Sequence, residues 1–348
     1  MRDSLLFLPS SLAGDLPVFK CRILSELEGE IEPEAYLGSA WRGVLGWELQ
    51  NLVCPFEGRP RCEQCIVRDH CPLILLFDQR SELPGLLDSP RGYILMPIRD
   101  KTGGSLSLEI TLVGDCSRFL PVILKALERA QRSGLGRARV RFRVSALQEI
   151  LPAGRPGEIE VLERFPVYES PPALRDWLGR SPEAAPEELQ VDILTPLRLR
   201  KQGKNVGVID WPFFFATLAR RVEALAALFG EREPFGKEVW QRVTAQFGNG
   251  LGCIDGRFDW DDYQRYSNRQ HKKIPMGGLV GTARFRTPAP WVWEWLRAGE
   301  LLHVGKGAAM GLGAVRVSCP SFWEGRGRDV QSGSRLSRVN GRKDTHAG

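Results

Sequence analysis

Two periodicities alternate along the first half of the chain. Val18 to Ile23 is a short apolar run that predicts a strand. Leu37, Trp41, Val44, Leu45, Leu49 and Leu52 then return every three or four residues, the spacing of one helix face, with Pro33 and Glu34 placed as a first turn. Tyr93 to Ile98 is again apolar and predicts a strand. Leu106, Leu108, Ile110 and Leu112 alternate strictly with Ser105, Ser107, Glu109 and Thr111, which puts the apolar side chains on one face of a half-buried strand. Phe119, Ile123, Leu124, Leu127 and Ala130 mark a second helix. Gly134-Leu135-Gly136 ends it, and Val140, Phe142 and Val144 predict a closing strand.

The second half repeats this order. Val191 to Leu194 predicts a strand that stops at Pro196, and Leu218, Val222, Leu225 and Phe229 an amphipathic helix. Leu251 to Ile254 reads as a strand or loop, Gly278 to Phe285 as a strand, and Trp291 to Leu296 as a short helix behind Pro290. Leu301 to Val304 and Leu312 to Val317 close the half around a glycine-rich loop. Each half reads βαββαβ, so the expected class is α+β, two tandem ferredoxin-like (RRM-like) domains. A Gly-x-Gly step precedes the last strand of both, at Gly134-Leu135-Gly136 and Gly311-Leu312-Gly313, an echo that argues for duplication. The domains are set at 1–165, with a Cys-rich, metal-binding insertion at 54–77, and at 189–322, with a Pro-, Glu- and Ala-rich linker over 166–188. The basic tail, 323–348, is Gly-, Ser- and Arg-rich and is expected to be disordered.

Composition narrows the partners only slightly. The chain has 348 residues, is 43% hydrophobic and carries a net charge of +6, which suits two globular domains and permits a nucleic-acid partner without demanding one. No apolar run is long enough to span a membrane, and the first residues lack a signal-peptide pattern, so the expected compartment is the cytoplasm.

Three features carry candidate chemistry. Gly305, Gly307, Gly311 and Gly313 surround Lys306 between two apolar runs. Successive exposed N–H groups in such a loop cradle phosphate, with lysine adding charge; a glycine-rich hairpin without ligand is the plainer reading. The spacing is not that of a Walker A loop, so a nucleic-acid backbone fits better than a nucleoside triphosphate. Arg137, Arg139, Arg141 and Arg143 alternate with Ala138, Val140, Phe142 and Val144; on a strand this aligns four guanidiniums, either against RNA phosphates or as a solvated outer face. Cys54, Cys62, Cys65 and Cys71 lie within eighteen residues as C-x7-C-x2-C-x5-C. In a reducing compartment this suggests a structural Zn²⁺ held by four thiolates, an iron–sulfur cluster, or reduced cysteines that merely pack. Cys21, Cys116, Cys253 and Cys319 are scattered in apolar surroundings and read as core.

Several segments together resemble one family. They are Leu194-Thr195-Pro196-Leu197-Arg198-Leu199, Arg265-Tyr266-Ser267-Asn268-Arg269-Gln270, the Gly277-Gly278-Leu279-Val280-Gly281 step, His303 to Lys306 with Met310 to Gly313, and Cys54-Pro55 through Cys71-Pro72. In this order they resemble the CRISPR precursor-RNA processing endoribonucleases, the sixth Cas family of the RAMP superfamily, in the branch with a four-cysteine insertion. The resemblance implies a nuclease that cuts CRISPR repeat RNA without a catalytic metal. The ribose 2′-OH attacks the adjacent phosphate, leaving a 2′,3′-cyclic phosphate and a 5′-OH, and the enzyme can keep its product. It also implies contact with other Cas proteins of an effector complex, and RNA contact by the loop from Gly305 to Gly313.

The chain departs from that family at one point. Many members place a histidine near the first helix; here the helix offers Tyr36, Trp41 and Arg42. Of the four histidines, His303 beside the glycine loop is the first candidate for acid–base work, or else a strand-end residue that orders the loop. His271, in the basic run from Arg269 to Lys273, is the second, or else part of a solvated loop. Tyr36 and Arg42 complete the catalytic candidates. His70 goes with the cysteines and His346 with the tail. Arg269, Lys272, Lys273 and Lys306 suit phosphate binding, with Arg265 and Gln270 beside them; Tyr266 either stacks a base or packs in the core. Two rival readings remain: a non-catalytic RAMP subunit that only binds guide RNA, and a zinc-stabilised RNA-binding module unrelated to CRISPR.

Overall fold

The computed structural model describes residues 7–31, 36–56, 62–79, 83, 89–99, 104–153, 159–162, 169–179, 187–262, 264–267 and 272–319. The tail expected over 323–348 lies outside the described residues. The first half folds as β1 (Val18–Leu27), α2 (Leu37–Val53), β2 (Tyr93–Arg99), β3 (Ser105–Val113), α3 (Leu120–Ser133) and β4 (Phe142–Pro152), behind a short α1 (Pro9–Ala13) and before an added β5 (Ile159–Leu162). Its sheet runs β2-β3-β1-β4-β5, antiparallel throughout. The strict alternation at 105–112 places Leu106, Leu108, Ile110 and Leu112 in the core, where Trp41, Leu45 and Leu49 of α2 cover them. Trp41 meets Phe142 edge-on at 5.0 Å.

The second half is β6 (Glu188–Leu197), a tight hairpin of β7 (Arg200–Lys201) and β8 (Lys204–Asn205), α5 (Trp211–Phe229), α6 (Lys237–Phe247), β9 (Cys253–Asp261), a second hairpin of β10 (Gln264–Ser267) and β11 (Lys272–Pro275), β12 (Gly278–Arg286), α7 (Pro290–Leu302) and β13 (Val315–Ser318). Its sheet runs β13-β6-β12-β9. In both sheets the fourth strand of the motif lies beside the first, then come the third and the second: the ferredoxin-like order, twice. Two details differ from the sequence reading. Leu301 and Leu302 finish α7 and do not form a strand, and α6 with the two hairpins is additional. The core under α5 and α7 is aromatic, with Phe215 against Trp291 at 5.1 Å and Phe247 against Trp295 at 5.3 Å.

The halves are tied at several points. Ser10 of α1 donates its backbone N–H to Glu294 Oε1 of α7 at 2.7 Å, and the Trp295 indole donates to the Phe7 carbonyl at 3.0 Å. Within the segment expected as a linker, α4 (Leu174–Leu178) is folded and packs against α7. Its Trp177 indole is buried and donates to the Val18 carbonyl at 2.9 Å. Among the described residues no helix is long and apolar enough to cross a membrane.

Candidate nucleic-acid interface

The glycine-rich loop joins α7 to β13 and lies against the other domain, at the start of α2 and beside β2. Most of its amide N–H groups are already used. Lys306 donates to the Arg198 carbonyl at 2.9 Å, Met310 and Leu312 to Gly307, Gly311 to Ala308, and Gly313 to Pro196. The Gly307, Ala308 and Ala309 amides are not among these donors, so a short row for phosphate is left, and the glycines do more than frame it. They supply close approach. Gly311 has φ +81, and a Cβ there would stand 2.7 Å from the Leu95 carbonyl and 2.8 Å from the Tyr36 hydroxyl. Gly313 has φ +63, and its Cβ would overlap the Val304 carbonyl. Thr195 completes the seat: its hydroxyl donates to the Gly311 carbonyl at 2.8 Å and accepts from the Ala314 amide at 2.9 Å. Lys306 is exposed at the turn.

Tyr36, which precedes α2, reaches this loop and donates its hydroxyl to the Met310 carbonyl. Two residues on, Gly38 of α2 passes so close that a Cβ would overlap the same carbonyl. The place where the family resemblance expects a histidine is thus held by a phenol in contact with the loop. Arg42, one helical turn further, is used in packing: its Nε donates to the Tyr93 hydroxyl at 3.1 Å and its guanidinium lies 5.3 Å from the Phe77 ring centre. These contacts give Arg42 a packing role beside the catalytic one expected from the sequence.

His303 needs correction. It ends α7 at φ 59 and ψ 164, is 6% exposed, and its Nδ1 faces the Leu312 carbonyl at 3.2 Å. Burial, with the Arg221 and Lys20 charges nearby, brings its pKa down to about 3. A neutral ring sealed beneath the loop orders that loop; it is not presented to a ligand for proton transfer. Stability should register this. The unfolded chain takes up the proton near pH 6.5, before the fold can, so stability falls as pH drops from 6.5 toward 3, by up to about 1.4 kcal/mol per pH unit. Denaturant titrations of wild type and His303→Gln at pH 7 and pH 5 measure it. The wild type should lose more between the two than the variant, and equal losses would refute the assignment.

Further cations gather at one end of the second sheet. Leu197, Leu279 and Trp260 form a row across β6, β12 and β9 at that end. From it extends the β7–β8 hairpin, with exposed Arg200, Lys201 and Lys204 around a two-residue turn in which Gln202 and Gly203 both have positive φ. Arg265 and Tyr266 on β10, with Lys272 and Lys273 on β11, extend from the same end. Arg269, Gln270 and His271 lie outside the described residues. Arg198 is the brace: its carbonyl holds the Lys306 amide, while its guanidinium donates to the Pro275 carbonyl at 3.2 Å and contacts Met276 Sδ at 3.4 Å. The β7–β8 cations were not singled out in the sequence, although Arg-Lys-Gln-Gly-Lys is a basic turn.

The arginine row is broken up. β4 begins only at Phe142, and residues 136–139 form a turn closed by the Leu135–Val140 bridge, with Arg139 at φ 50. Arg137, Arg139 and Arg141 are exposed around this turn, not aligned along one strand face. Arg143 pairs with Glu26 at 2.5 Å, an exposed ion pair of about 0–1 kcal/mol.

The cysteine expectation is also revised. Cys54 caps the end of α2, Cys62 and Cys65 share one turn, and Cys71 follows the next. All four are free thiols. Burial, then the neighbouring Cys71, Asp78, Cys54 and Cys65, push the Cys62 thiol up, toward the protonated form. The four share a neighbourhood, yet among the described residues no three Cys, His, Asp or Glu close into a group able to hold a metal ion. Among the described residues neither a zinc nor an iron–sulfur site is supported.

Two ferredoxin-like domains of one strand order, meeting at a glycine-rich loop, define the class. Residues 16–171 match a family model described as an N-terminal domain. Residues 191–315 match the model of CRISPR-associated endoribonuclease Cas6. An uncharacterized protein of Archaeoglobus fulgidus is 24% identical over 292 residues, covering 81% of this chain and 91% of its own. Similar solved structures include a Cas6 product complex (16% identity, 87% of this chain and 99% of that one, TM-score 0.49). Another is Thermus thermophilus Cas6 (14% identity, 87% and 99%, TM-score 0.47).

Proposed function

We propose that the protein is an endoribonuclease that cuts CRISPR repeat RNA and hands the mature product on to other Cas proteins. The observation that most supports this is the match of residues 191–315 to the Cas6 family, over the stretch that contains the loop contacted by Tyr36. In this reading the RNA backbone crosses the glycine loop. Lys306 faces the scissile phosphate and stabilises charge developing on it. The Tyr36 hydroxyl, already oriented by its bond to Met310, engages the 2′-OH as that group attacks. The phosphorane collapses to a 2′,3′-cyclic phosphate as the P–O5′ bond breaks; solvent water takes the proton lost by the 2′-OH and gives one to the departing 5′-oxygen. No metal takes part. The test is incubation of the full chain with end-labelled repeat RNA in chelator, with product ends read by mass. A cyclic phosphate at a single position supports the reading; absence of cleavage defeats it. The burial of His303 favours a second reading, a RAMP subunit that binds guide RNA without cutting it. Tight binding with no cleavage would select that one.

A further inference from the structure

The second sheet presents one large aromatic residue that its core does not use. Trp260, on the edge strand β9, is 47% exposed although it shares a row and a face with buried Leu279 and Leu197. It stands beyond the cover that α5 and α7 give the rest of that face. The indole edge lies close to the Gly277 backbone: a Cβ there would come 2.8 Å from its Nε1 and 2.7 Å from the Asp262 carboxylate. The neighbours of Trp260 along the chain are polar, with Asp259, Asp261 and Asp262 exposed beside it. The same end of the sheet bears the basic β7–β8 hairpin, with exposed Arg200, Lys201 and Lys204. Neighbouring strands lie about 4.8 Å apart, so Leu197, which leads into the first hairpin, and Trp260 are about 10 Å apart, within the reach of two or three nucleotides.

An exposed aromatic face near a basic hairpin is the composition of a single-strand platform: the β7–β8 cations follow the phosphates and the ring takes a base, while the carboxylates of Asp259, Asp261 and Asp262 keep the phosphates off the indole's own strand. A duplex hides its base faces and has no use for the indole. We propose that Trp260 is a stacking site for an unpaired base of bound RNA, so that this end of the second sheet holds a single-stranded stretch. The inference rests on the RNA-processing reading above and adds to it where the unpaired stretch lies. Stacking has a signature distinct from charge, because it does not depend on released counterions.

Binding of the full chain to fluorescein-labelled repeat RNA, and to a labelled oligouridine, is measured between 50 and about 300 mM salt. Trp260→Ala should weaken oligouridine binding by roughly 5- to 100-fold at every salt concentration and leave the salt slope unchanged. Trp260→Phe should restore most of the affinity. Gly277→Ala, which displaces the ring without removing it, should weaken binding as Trp260→Ala does. The double variant Lys201→Ala/Lys204→Ala should instead flatten the slope by about 1.4. Thermal midpoints equal to wild type exclude a folding defect in Trp260→Ala. If wild type binds and cuts RNA while Trp260→Ala binds oligouridine as wild type does, the stacking site is wrong and the nuclease reading stands. If wild type neither binds nor cuts, both fall.

Discussion

Alanine at Gly38 should loosen the protein, whereas alanine at Gly43, five residues on in the same helix, should tighten it. The chemical change is identical, and in an exposed helix interior it gains up to about 1 kcal/mol because glycine is the poorer helix former. At Gly43 a Cβ meets nothing within 4 Å, so that gain should appear. At Gly38 the Cβ would overlap the Met310 carbonyl and stand 2.6 Å from the Tyr36 ring. Neither is the end of a flexible chain. The loop or the helix must retreat, and forced overpacking costs about 1–3 kcal/mol. Thermal unfolding should therefore place Gly38→Ala at least about 2 °C below wild type and Gly43→Ala at or above it. Cleavage of repeat RNA should fall with Gly38→Ala and not with Gly43→Ala. Equal midpoints for the two variants would mean that the loop does not dock on α2 as described.

Tyr36→Phe should have the larger catalytic effect. The ring stays, so its packing beside Gly38 is kept, and only the hydroxyl goes. The Met310 carbonyl loses a donor, which costs stability about 1 kcal/mol. If the hydroxyl engages the 2′-OH, the cleavage rate under single turnover falls about 10²- to 10⁴-fold while RNA affinity changes less than about 3-fold. A tether alone would behave otherwise: a modest drop in rate, matched by the drop in stability and recovered by lowering the temperature. Cleavage at the wild-type rate would remove Tyr36 from the mechanism and leave Lys306 and the loop to be examined.

The fold was largely legible because its signals are local. Strict alternation from Ser105 to Leu112 marks a strand, although its polar face is covered too, with Glu109 and Thr111 buried, and the spacing of Leu37, Trp41, Leu45 and Leu49 marks a helix. Where local signal was mixed, the reading slipped. Leu301 and Leu302 are apolar whether they end a helix or begin a strand, and α7 claims them. β9 alternates Asp255, Arg257 and Asp259 with Gly256 and Phe258, an edge strand whose polar face and glycine hide its period. α6 carried a readable stripe of Val239, Trp240, Val243 and Phe247 that was passed over. The site was legible only as a neighbourhood. That the glycine loop matters could be read from its glycines. That Tyr36 touches Met310 across 274 positions could not, because nothing local encodes it. His303 looked functional from its place beside the loop; burial, which the sequence does not print, decides its chemistry.

The five residues of α4 act as a keystone between the halves. They hold β1 through Trp177 and rest on α7. Removing either domain would strip the other of buried surface, so calorimetry should find both melting in one cooperative transition. A joint of that kind gives the cleft one fixed gauge. In the proposed function the RNA, and not the protein, then bends to fit, and a strand already kinked at the right place is chosen over a straighter one of the same letters.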